Sequence, residues 1–267
     1  VPTEASYYPH SEPDSAGIPT VLGDEVLVAP FNETSFALEL IESHADELAA
    51  VIVEPLQRVL KPAPGFLEAL REITTRLGIV LIFDEIVTGF RIAWGGSQEK
   101  YGVVPDVATY GKAMAGAFPL AAIIGRSDIM DVYARQSRPV SDVAWASGTF
   151  FGNPISAVAG LTALDVLSGP GIYEGLQHVG SRLRAGIENL GRKHGVPTQA
   201  LGEDPVFGVR FMENASPKTW VDLLEHDADF GHRWAVECIR GGLLLNPNEK
   251  WYVSITHDDD DLDQTFE

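Results

Sequence analysis

Short, wholly apolar runs alternate with amphipathic stretches along the first half of the chain. Residues 49–53 and 79–83 are continuously apolar, which is typical of strands buried on both faces of a parallel sheet. Between them, residues 66–77 carry most of their apolar side chains on one side, and Gly78 follows as a helix terminator. This β-α-β order predicts an α/β fold with a mostly parallel sheet that helices cover.

The same periodicities predict elements on both sides of this unit. An earlier strand is expected at residues 25–30, and Asn32 is a favoured cap for a helix that runs to about Leu48. Further strands are predicted at 106–110, 120–124, 206–212 and 252–255, and further helices at 128–136, 154–167, 173–194 and 220–240, with Ser127 as the cap of the 128–136 helix. The acidic run 258–261 suits the start of a last helix, and we interpret it as a solvated cap rather than a metal site.

The clearest break in the pattern is Ser168-Gly169-Pro170-Gly171. After it, a long amphipathic helix replaces the short strand-helix units, and the following strands alternate apolar and polar residues. We therefore expect a large sheet-bearing domain at residues 1–170 and a smaller α+β domain at residues 171–267.

Composition and charge exclude several classes of protein. The formal net charge of −19 argues against nucleic acid as a partner, because phosphates require clustered lysines and arginines. The longest apolar runs have the length of strands, so we expect no membrane-spanning segment. The single cysteine, Cys238, suits a reducing compartment, which favours a cytoplasmic location. The seven histidines lack metal-ligand spacing, so we expect no structural metal.

A carboxylate and a lysine stand out against this framework. Asp84 comes where the strand at 79–83 should end, and ligands bind at the carboxyl ends of strands in open parallel sheets. Lys112 lies among glycine, alanine and methionine residues, and such small neighbours let a bulky group approach the backbone. A carboxylate that faces a pyridinium nitrogen, together with a Schiff-base lysine, is the pair that pyridoxal phosphate chemistry requires.

These residues also have ordinary structural interpretations. Most lysines are solvated surface residues, and a carboxylate at a strand end is common in α/β sheets as a cap or loop residue. The segment at 147–154 offers Ser and Thr hydroxyls and glycine amides before a helix, which is the composition of a phosphate cradle and equally of a capped turn.

Taken together, the motifs resemble those of the class III pyridoxal-phosphate-dependent aminotransferases, in order and in spacing. The matching motifs are Glu54-Pro55-x-Gln57, Phe83-Asp84-Glu85-Ile86-x-Thr88-Gly89-Phe90-Arg91, Gly95-Gly96-x-Gln98, Tyr101-Gly102-Val103-x-Pro105-Asp106, Gly111-Lys112 and Ser147-Gly148-Thr149-Phe150-x-Gly152-Asn153-Pro154. The resemblance runs from about Gly17 to the end. Val87 and the ending at 253–257 look most similar to the branch that contains glutamate-1-semialdehyde 2,1-aminomutase.

The resemblance implies fold type I, the cofactor pyridoxal 5′-phosphate and a role for each matched residue. Lys112 would form the Schiff base and carry the proton in the 1,3-shift, and Asp84 would pair with the pyridine nitrogen. Ile86 would pack on the ring face. Gly148 and Thr149 would reach the cofactor phosphate of a neighbouring subunit, which implies a homodimer with shared active sites. Glu54 and Gln57 would line or support the pocket, and Arg91 would hold local structure.

One departure from the family concerns the start of the chain. Family members carry a substantial N-terminal portion with a phosphate loop and a stacking aromatic ring, and neither is recognisable here. The chain also lacks an initiator methionine, so we expect it to begin inside a longer gene product or after processing. We therefore expect this chain on its own to lack half of the family's phosphate site and the aromatic residue on one ring face.

The resemblance implies that the enzyme moves an amino group between a small-molecule amino donor and a carbonyl acceptor. Two alternatives stay open: a 2,1-aminomutase or racemase on the same scaffold, and a truncated non-catalytic subunit. Arg210 and Arg240 are candidates to bind a substrate carboxylate, but the sequence assigns neither and does not identify the substrate.

Overall fold

The computed structural model describes residues 8–11, 13, 15–133, 138–247 and 249–267. The strands among these residues are β1 (Ala50–Val53), β2 (Val80–Glu85), β3 (Val107–Tyr110), β4 (Ala122–Gly125), β5 (Gln199–Glu203), β6 (Val206–Arg210) and β7 (Trp251–Tyr252). The helices are α1 (Thr34–Ser43), α2 (Phe66–Leu77), α3 (Gly96–Tyr101), α4 (Ser127–Met130), α5 (Pro154–Leu167), α6 (Ile172–His194), α7 (Trp220–Leu223), α8 (Ala228–Arg240) and α9 (Asp259–Phe266). Short 3₁₀ helices lie at Thr20–Glu25, Lys112–Ala115, Asp131–Tyr133 and Val140–Asp142.

The first sheet has the strand order β1-β2-β3-β4. Strands β1, β2 and β3 are parallel, and β4 joins β3 in the antiparallel direction. This confirms the predicted α/β fold with a mostly parallel sheet. Because the three parallel strands run the same way, their carboxyl ends meet at one edge of the sheet, where ligands bind in this class of fold.

The core of this region lies where helix α2 covers the sheet. The buried face of α2 repeats at helical spacing through Phe66, Leu70 and Ile73, and it belongs to the same hydrophobic cluster as Leu81 and Phe83 of β2. Both β2 side chains are fully buried. Burying a large apolar side chain contributes about 1.5–3 kcal/mol, so this cluster fixes the strands that carry the candidate residues.

The second sheet is antiparallel, in the order β5-β6-β7. Helices α6 and α9 cover it, and its cluster includes Leu183 of α6, Phe207 of β6 and Leu262 of α9. Met212 and Leu223 from this half of the chain pack in the first cluster instead. The buried Glu203 of β5 also accepts a hydrogen bond of 3.1 Å from the Tyr101 hydroxyl, so the two halves are joined by apolar and polar contacts.

Two predictions for the N-terminal region, a strand at 25–30 and a cap at Asn32, are wrong. No strand forms at 25–30, where the described chain is extended after a 3₁₀ helix and Val28 N donates to Pro9 O at 2.9 Å. A strand requires a neighbour along its length, and among the described residues this segment has a single backbone hydrogen bond of that kind. Helix α1 begins at Thr34, and Asn32 does not cap it. Its side chain instead accepts from Ala63 N at 2.7 Å and donates to the carbonyl of Lys218 at 2.8 Å.

Three later elements differ in extent. The predicted helix at 220–240 is two helices, because Asp227 accepts a hydrogen bond from Phe230 N and so caps a new helix, α8. The predicted helix at 128–136 begins at Ser127 itself and gives way to a 3₁₀ turn, and its last part, 134–136, lies outside the described residues. The last strand is shorter than the predicted 252–255 and begins one residue earlier, at Trp251.

Candidate active site

Asp84 is the centre of the hydrogen bonds at the carboxyl edge of the sheet. It lies opposite Thr109 in the register of β2 and β3. Its Oδ1 accepts hydrogen bonds of 3.1 Å from the Thr109 hydroxyl and of 3.1 Å from the Ile86 backbone amide. The other oxygen, Oδ2, has no hydrogen bond from any residue that the structure describes. The carboxylate is therefore oriented from one side, and its other oxygen is left for a further donor.

Lys112 lies three residues after Thr109, at the start of a 3₁₀ helix with its side chain exposed. Its φ of +43° is in the left-handed region, which is rare for a residue with a side chain and is often retained at functional sites. A β-carbon added to the preceding Gly111 would lie 3.3 Å from Cδ1 of Ile86. The absence of that carbon lets the Ile86 side chain approach the backbone beside Lys112. Sequence and register thus bring Asp84, Ile86 and Lys112 together.

A buried carboxylate, Glu85, supports this arrangement from the opposite face of β2. Glu85 is fully buried, and its oxygens accept from the Thr88 hydroxyl at 3.2 Å, from Ser97 N at 2.6 Å and from Gln98 Nε2 at 2.9 Å. Gln98 also donates to the Tyr110 hydroxyl at 2.6 Å. A carboxylate in the interior is tolerated only when such donors satisfy it. Glu85 therefore fixes the turn after β2 and the start of α3.

Glu54 and Gln57 lie just after β1, at the same edge of the sheet as Asp84. The backbone amide of Arg58 donates to Glu54 Oε2 at 3.5 Å, which is a long hydrogen bond. Arg58 itself has a φ of +58°. The side-chain oxygen of Gln57 is buried without a hydrogen-bond partner among the described residues. An orphaned buried acceptor is costly, so it marks a place for a donor that a ligand or water could supply.

Gly148 and Thr149 are exposed and lie in the turn before α5. The start of that helix is capped by Asn153, whose side chain accepts from Ile155 N at 2.9 Å. No hydrogen bond joins Gly148 or Thr149 to Asp84 or Lys112 within the part of the chain that the structure describes. The hydrogen bonds and packing thus link Asp84, Ile86 and the backbone beside Lys112, and no hydrogen bond among the described residues adds Gly148 or Thr149 to them.

The C-terminal half reaches the site through Arg91, which follows the turn after β2. Its Nη1 donates to the carbonyl of Val253 at 2.8 Å, and its guanidinium carbon lies 5.5 Å from the centre of the Tyr252 ring. Burial lowers the pKa of Arg91, and nearby Tyr252 and Tyr173 act in the opposite direction. The prediction that Arg91 holds local structure fits these contacts.

Comparison with known proteins decides the family. The model of the family "Aminotransferase class-III" matches residues 8–234. The chain belongs to the class III aminotransferase family. It is 38% identical over 264 residues to glutamate-1-semialdehyde 2,1-aminomutase 2 of Brevibacillus brevis, a match that covers 96% of this chain and 59% of the relative. These matches confirm the predicted family and the predicted resemblance to its aminomutase branch.

Solved structures agree with this assignment. An omega-transaminase from Sphaerobacter thermophilus superposes with a TM-score of 0.88 at 33% identity, over 98% of this chain and 60% of that chain. A transaminase with pyridoxal phosphate bound gives a TM-score of 0.83 at 23% identity, over 96% of this chain and 60% of that chain, which supports the fold. The chain therefore spans about three fifths of the length of these relatives.

The residues at the sheet edge fit the cofactor that the family implies. Pyridoxal phosphate presents a protonated ring nitrogen, an apolar ring face and an aldehyde carbon. Asp84 Oδ2, the Ile86 side chain and the Lys112 amine supply a matching acceptor, apolar surface and nucleophile. The prediction of pyridoxal phosphate as the family's cofactor is confirmed.

Two further properties of the described residues concern membrane-spanning helices and metal sites. Among the described residues, no single helix is long and apolar enough to cross a membrane, and α5 and α6 reach that length and composition only as a pair bent by 80°. Within the same part of the chain, no group of three or more His, Cys, Asp or Glu side chains is arranged to hold a metal ion.

Sequence reasoning assigned no role to two residues of the candidate site. Thr109 and Glu85 act through hydrogen bonds to or beside Asp84, and their signal was available in retrospect, since both are polar residues in otherwise apolar strands.

Proposed function

We propose that this chain carries the catalytic half of a pyridoxal-phosphate-dependent aminotransferase. The enzyme would move an amino group between a small-molecule amino donor and a carbonyl acceptor through a Schiff base on Lys112. The observation that carries the proposal is the one-sided orientation of Asp84, across paired strands that lead directly to Lys112. Because the chain spans about three fifths of its relatives, the activity is proposed for the protein to which this chain contributes.

The roles of the residues follow from their chemistry. The bound cofactor supplies an electron sink for the carbon that exchanges its proton. Asp84 Oδ2 keeps a proton on the ring nitrogen, and Ile86 packs on the ring face. Lys112 provides the amine and moves the proton. Glu54 and Gln57 line the pocket, where the buried Gln57 oxygen is available to a donor.

We also propose a homodimer in which Gly148 and Thr149 reach the cofactor phosphate of the partner subunit. An exposed apolar face around that turn supports this. Phe151 is 71% exposed and Ile155 is 66% exposed, and Val158 and Leu161 continue the face along α5. Such contiguous apolar surface marks an interaction site. Helix α5 carries a single charged residue, Asp165, and its apolar residues are not confined to one face, which is typical of a helix that becomes buried.

The division into a cofactor-binding region at 1–170 and a small domain at 171–267 remains a proposal. The two separate sheets support it. Met212 and Leu223 lie beyond residue 170 but pack in the first hydrophobic cluster, so the two regions share part of a core. A cytoplasmic location is likewise proposed, because the lone thiol of Cys238 suits a reducing compartment.

One alternative activity has its own support. The relative from Brevibacillus brevis is named as an aminomutase, and its similarity favours an intramolecular amino shift as the second candidate. A transaminase releases an oxo product without a second substrate being added, whereas a mutase retains it. A stoichiometric assay of that release separates the two.

The visible absorption of the purified chain after addition of pyridoxal phosphate tests the proposal. We expect a visible absorption band. This band should be absent in Lys112→Ala and should be bleached by an amino donor. Lys193→Ala, an exposed residue of α6, is the matched control and should keep the band. A band that survives in Lys112→Ala contradicts the proposal. No band in either protein favours the truncated, non-catalytic subunit.

A further inference from the structure

Glu203 is a buried carboxylate that contacts three side chains from the first half of the chain. It is the last residue of β5 and is 6% exposed. Its Oε1 lies 3.3 Å from Lys61 Nζ and accepts a hydrogen bond of 3.1 Å from the Tyr101 hydroxyl, and its Oε2 lies 3.4 Å from Lys100 Nζ. A carboxylate withdrawn from water is costly unless cations and donors satisfy it, so these contacts stabilise its charged form.

The two ion pairs of Glu203 differ from the other charged contacts in what they join. Within the described part of the chain, the lysine and arginine ion pairs that cross between residues 1–170 and 171–267 both end on Glu203. The others join residues within one of these two regions, as Arg71 joins Asp106. Glu203 is therefore the point at which opposite charges link the second sheet to the first region.

The contact with Lys61 reaches the loop after β1, which carries Glu54 and Gln57. The amide of Leu60, directly before Lys61, donates to the Gln57 carbonyl at 2.8 Å. The side-chain oxygen of Gln57 is buried without a hydrogen-bond partner among the described residues. A displacement of Lys61 is therefore transmitted to Gln57 through one hydrogen-bonded turn.

The contact with Lys100 reaches the support of Asp84. Lys100 belongs to α3, and the amide of Ser97 at the start of that helix donates to Glu85 Oε2 at 2.6 Å. Glu85 directly follows Asp84 in β2. The carboxylate of Glu203 therefore connects the loop after β1 to the helix that fixes the turn after β2.

Apolar contacts place the second sheet against the same loop. Val206 of β6 is buried in one cluster with Leu56, and a β-carbon added to Gly208 would lie 2.8 Å from Cγ1 of Val59. These contacts lie on either side of Gln57 in the sequence. Apolar packing is non-directional, whereas charge-assisted hydrogen bonds have a preferred geometry, so the carboxylate contacts supply the orientation.

We propose that Glu203 is a positioning residue for the candidate site, which holds the loop 54–61, and with it the Gln57 side chain, in place through its ion pair with Lys61. This inference rests on the proposed function, because Gln57 lines the cofactor pocket there. The hydrogen bonds and ion pairs of Glu203 among the described residues include none to Asp84 or Lys112. Glu203 therefore acts through the loop and not on the reacting atoms.

Amide NMR of the cofactor-free chain gives the first test. Glu203→Gln keeps the shape of the side chain and removes the charge that pairs with Lys61. We expect hydrogen exchange of the Leu60 amide to become about tenfold faster, which is the scale of one lost charge-assisted hydrogen bond. The side-chain amide signals of Gln57 should shift, while the amide of Asp106, which is hydrogen-bonded to β2, should keep its exchange rate.

Three further variants locate the effect. Lys61→Met should reproduce the faster exchange at Leu60, whereas Lys100→Met, which leaves the pair with Lys61 intact, should not. Glu42→Gln breaks an exposed ion pair with Arg76 by the same kind of substitution and should leave the exchange rate unchanged. Equal acceleration in Lys100→Met would show that the effect runs through α3 and would contradict the proposal.

Two results with Glu203→Gln overturn the proposal. One is an unchanged exchange rate at Leu60 or an unchanged side-chain amide signal of Gln57. The other is acceleration of the same size at Leu60 and at the Asp106 amide, because that pattern reports a loss of overall stability and not a movement of the loop.

The affinity of the chain for pyridoxal phosphate gives the second test, in a double-mutant cycle. Gln57→Leu removes the buried acceptor, and we expect it and Glu203→Gln each to weaken the affinity about fivefold. If Glu203 acts through Gln57, the double variant should bind no more weakly than Gln57→Leu alone. Two losses that multiply would mean that Glu203 acts elsewhere on the site, and would contradict the proposal. Glu42→Gln should bind as the unmodified chain does.

The outcomes distinguish this inference from the proposed function. If Leu60 and Gln57 respond to Glu203→Gln but no Lys112-dependent absorption band forms, the proposed function fails while Glu203 still holds the loop. If the band forms and the Leu60 and Gln57 signals are unchanged, or the two losses of affinity multiply, the proposed function stands and this inference fails.

Discussion

The Thr109 hydroxyl donates to Oδ1 of Asp84 at 3.1 Å, from the strand that leads to Lys112. This hydrogen bond links the orientation of the carboxylate to the strand that carries the nucleophile. Thr109→Val keeps the shape of the side chain and removes the donor. We expect a loss of about 1 kcal/mol in the affinity of the chain for pyridoxal phosphate. Thr109→Ser, which retains the hydroxyl, should restore most of it, and equal affinity in all three proteins would contradict the role.

The buried carboxylate of Glu85 gives a prediction about stability. In Glu85→Gln, either the amide N–H₂ or the amide oxygen, which is a weaker acceptor than a carboxylate, would face the Thr88 and Ser97 donors. The network would lose at least one hydrogen bond. We expect the free energy of unfolding to fall by about 2–3 kcal/mol in urea titrations. Glu72→Gln, on the exposed face of α2, is the control and should change it by less than about 0.5 kcal/mol. A fall of the same size in both variants would refute the assignment.

We expect the contacts of Arg91 to stabilise the C-terminal strand, β7. Arg91→Met removes the hydrogen bond to Val253 and the contact with the Tyr252 ring. We expect faster hydrogen exchange at residues 251–253, with little change in β1 to β3. Arg91→Lys keeps the charge but not the planar guanidinium, and should protect these amides only in part. Unchanged exchange in Arg91→Met would show that β6 alone holds this strand.

The lowered pKa of Asp106 makes the free energy of unfolding depend on pH in the acid range. Burial raises its pKa, but hydrogen bonds from Leu81 N, Arg126 and Arg71 outweigh burial and leave the pKa lowered. A carboxyl with a lowered folded-state pKa adds stability that is present above its unfolded pKa of about 3.9 and lost as the pH falls through its folded value. Asp106→Asn should therefore be less stable than the unmodified chain at pH 7, and the difference should narrow below about pH 4. A difference that is constant from pH 7 to pH 3 would contradict this.

The exposed apolar face of α5 predicts association. Ile155→Glu and Val158→Glu place charges on that face without touching the buried Ser156 or Gly160. If this face forms the homodimer interface, the variants should sediment as monomers at concentrations where the unmodified chain is dimeric. A monomeric unmodified chain, or dimeric variants, would remove the support for this interface.

Much of the first sheet could be predicted from the sequence, because its strands are short apolar runs and its helices have clear apolar faces. The pair Asp84 and Lys112 could be found for the same reason, since each interrupts a simple pattern. The segment at 25–30 could not be judged, because an extended run becomes a strand only when a neighbour pairs with it. The predicted helix cap at Asn32 was wrong because its side chain donates to the distant carbonyls of Lys61 and Lys218 rather than bonding to its own helix. The hydrogen bond from Arg91 to the Val253 carbonyl depends on how the two halves of the chain meet, which no local pattern encodes.

Lys112 is proposed as the lysine to which the cofactor is joined. Reduction of the cofactor-loaded chain with borohydride makes that link permanent, and peptide mass mapping then identifies the modified lysine. We expect one stoichiometric pyridoxyl group on Lys112, with Lys250 and Lys193 unmodified. Modification of Lys250 instead, or a scatter over exposed lysines with Lys112 unlabelled, would contradict it.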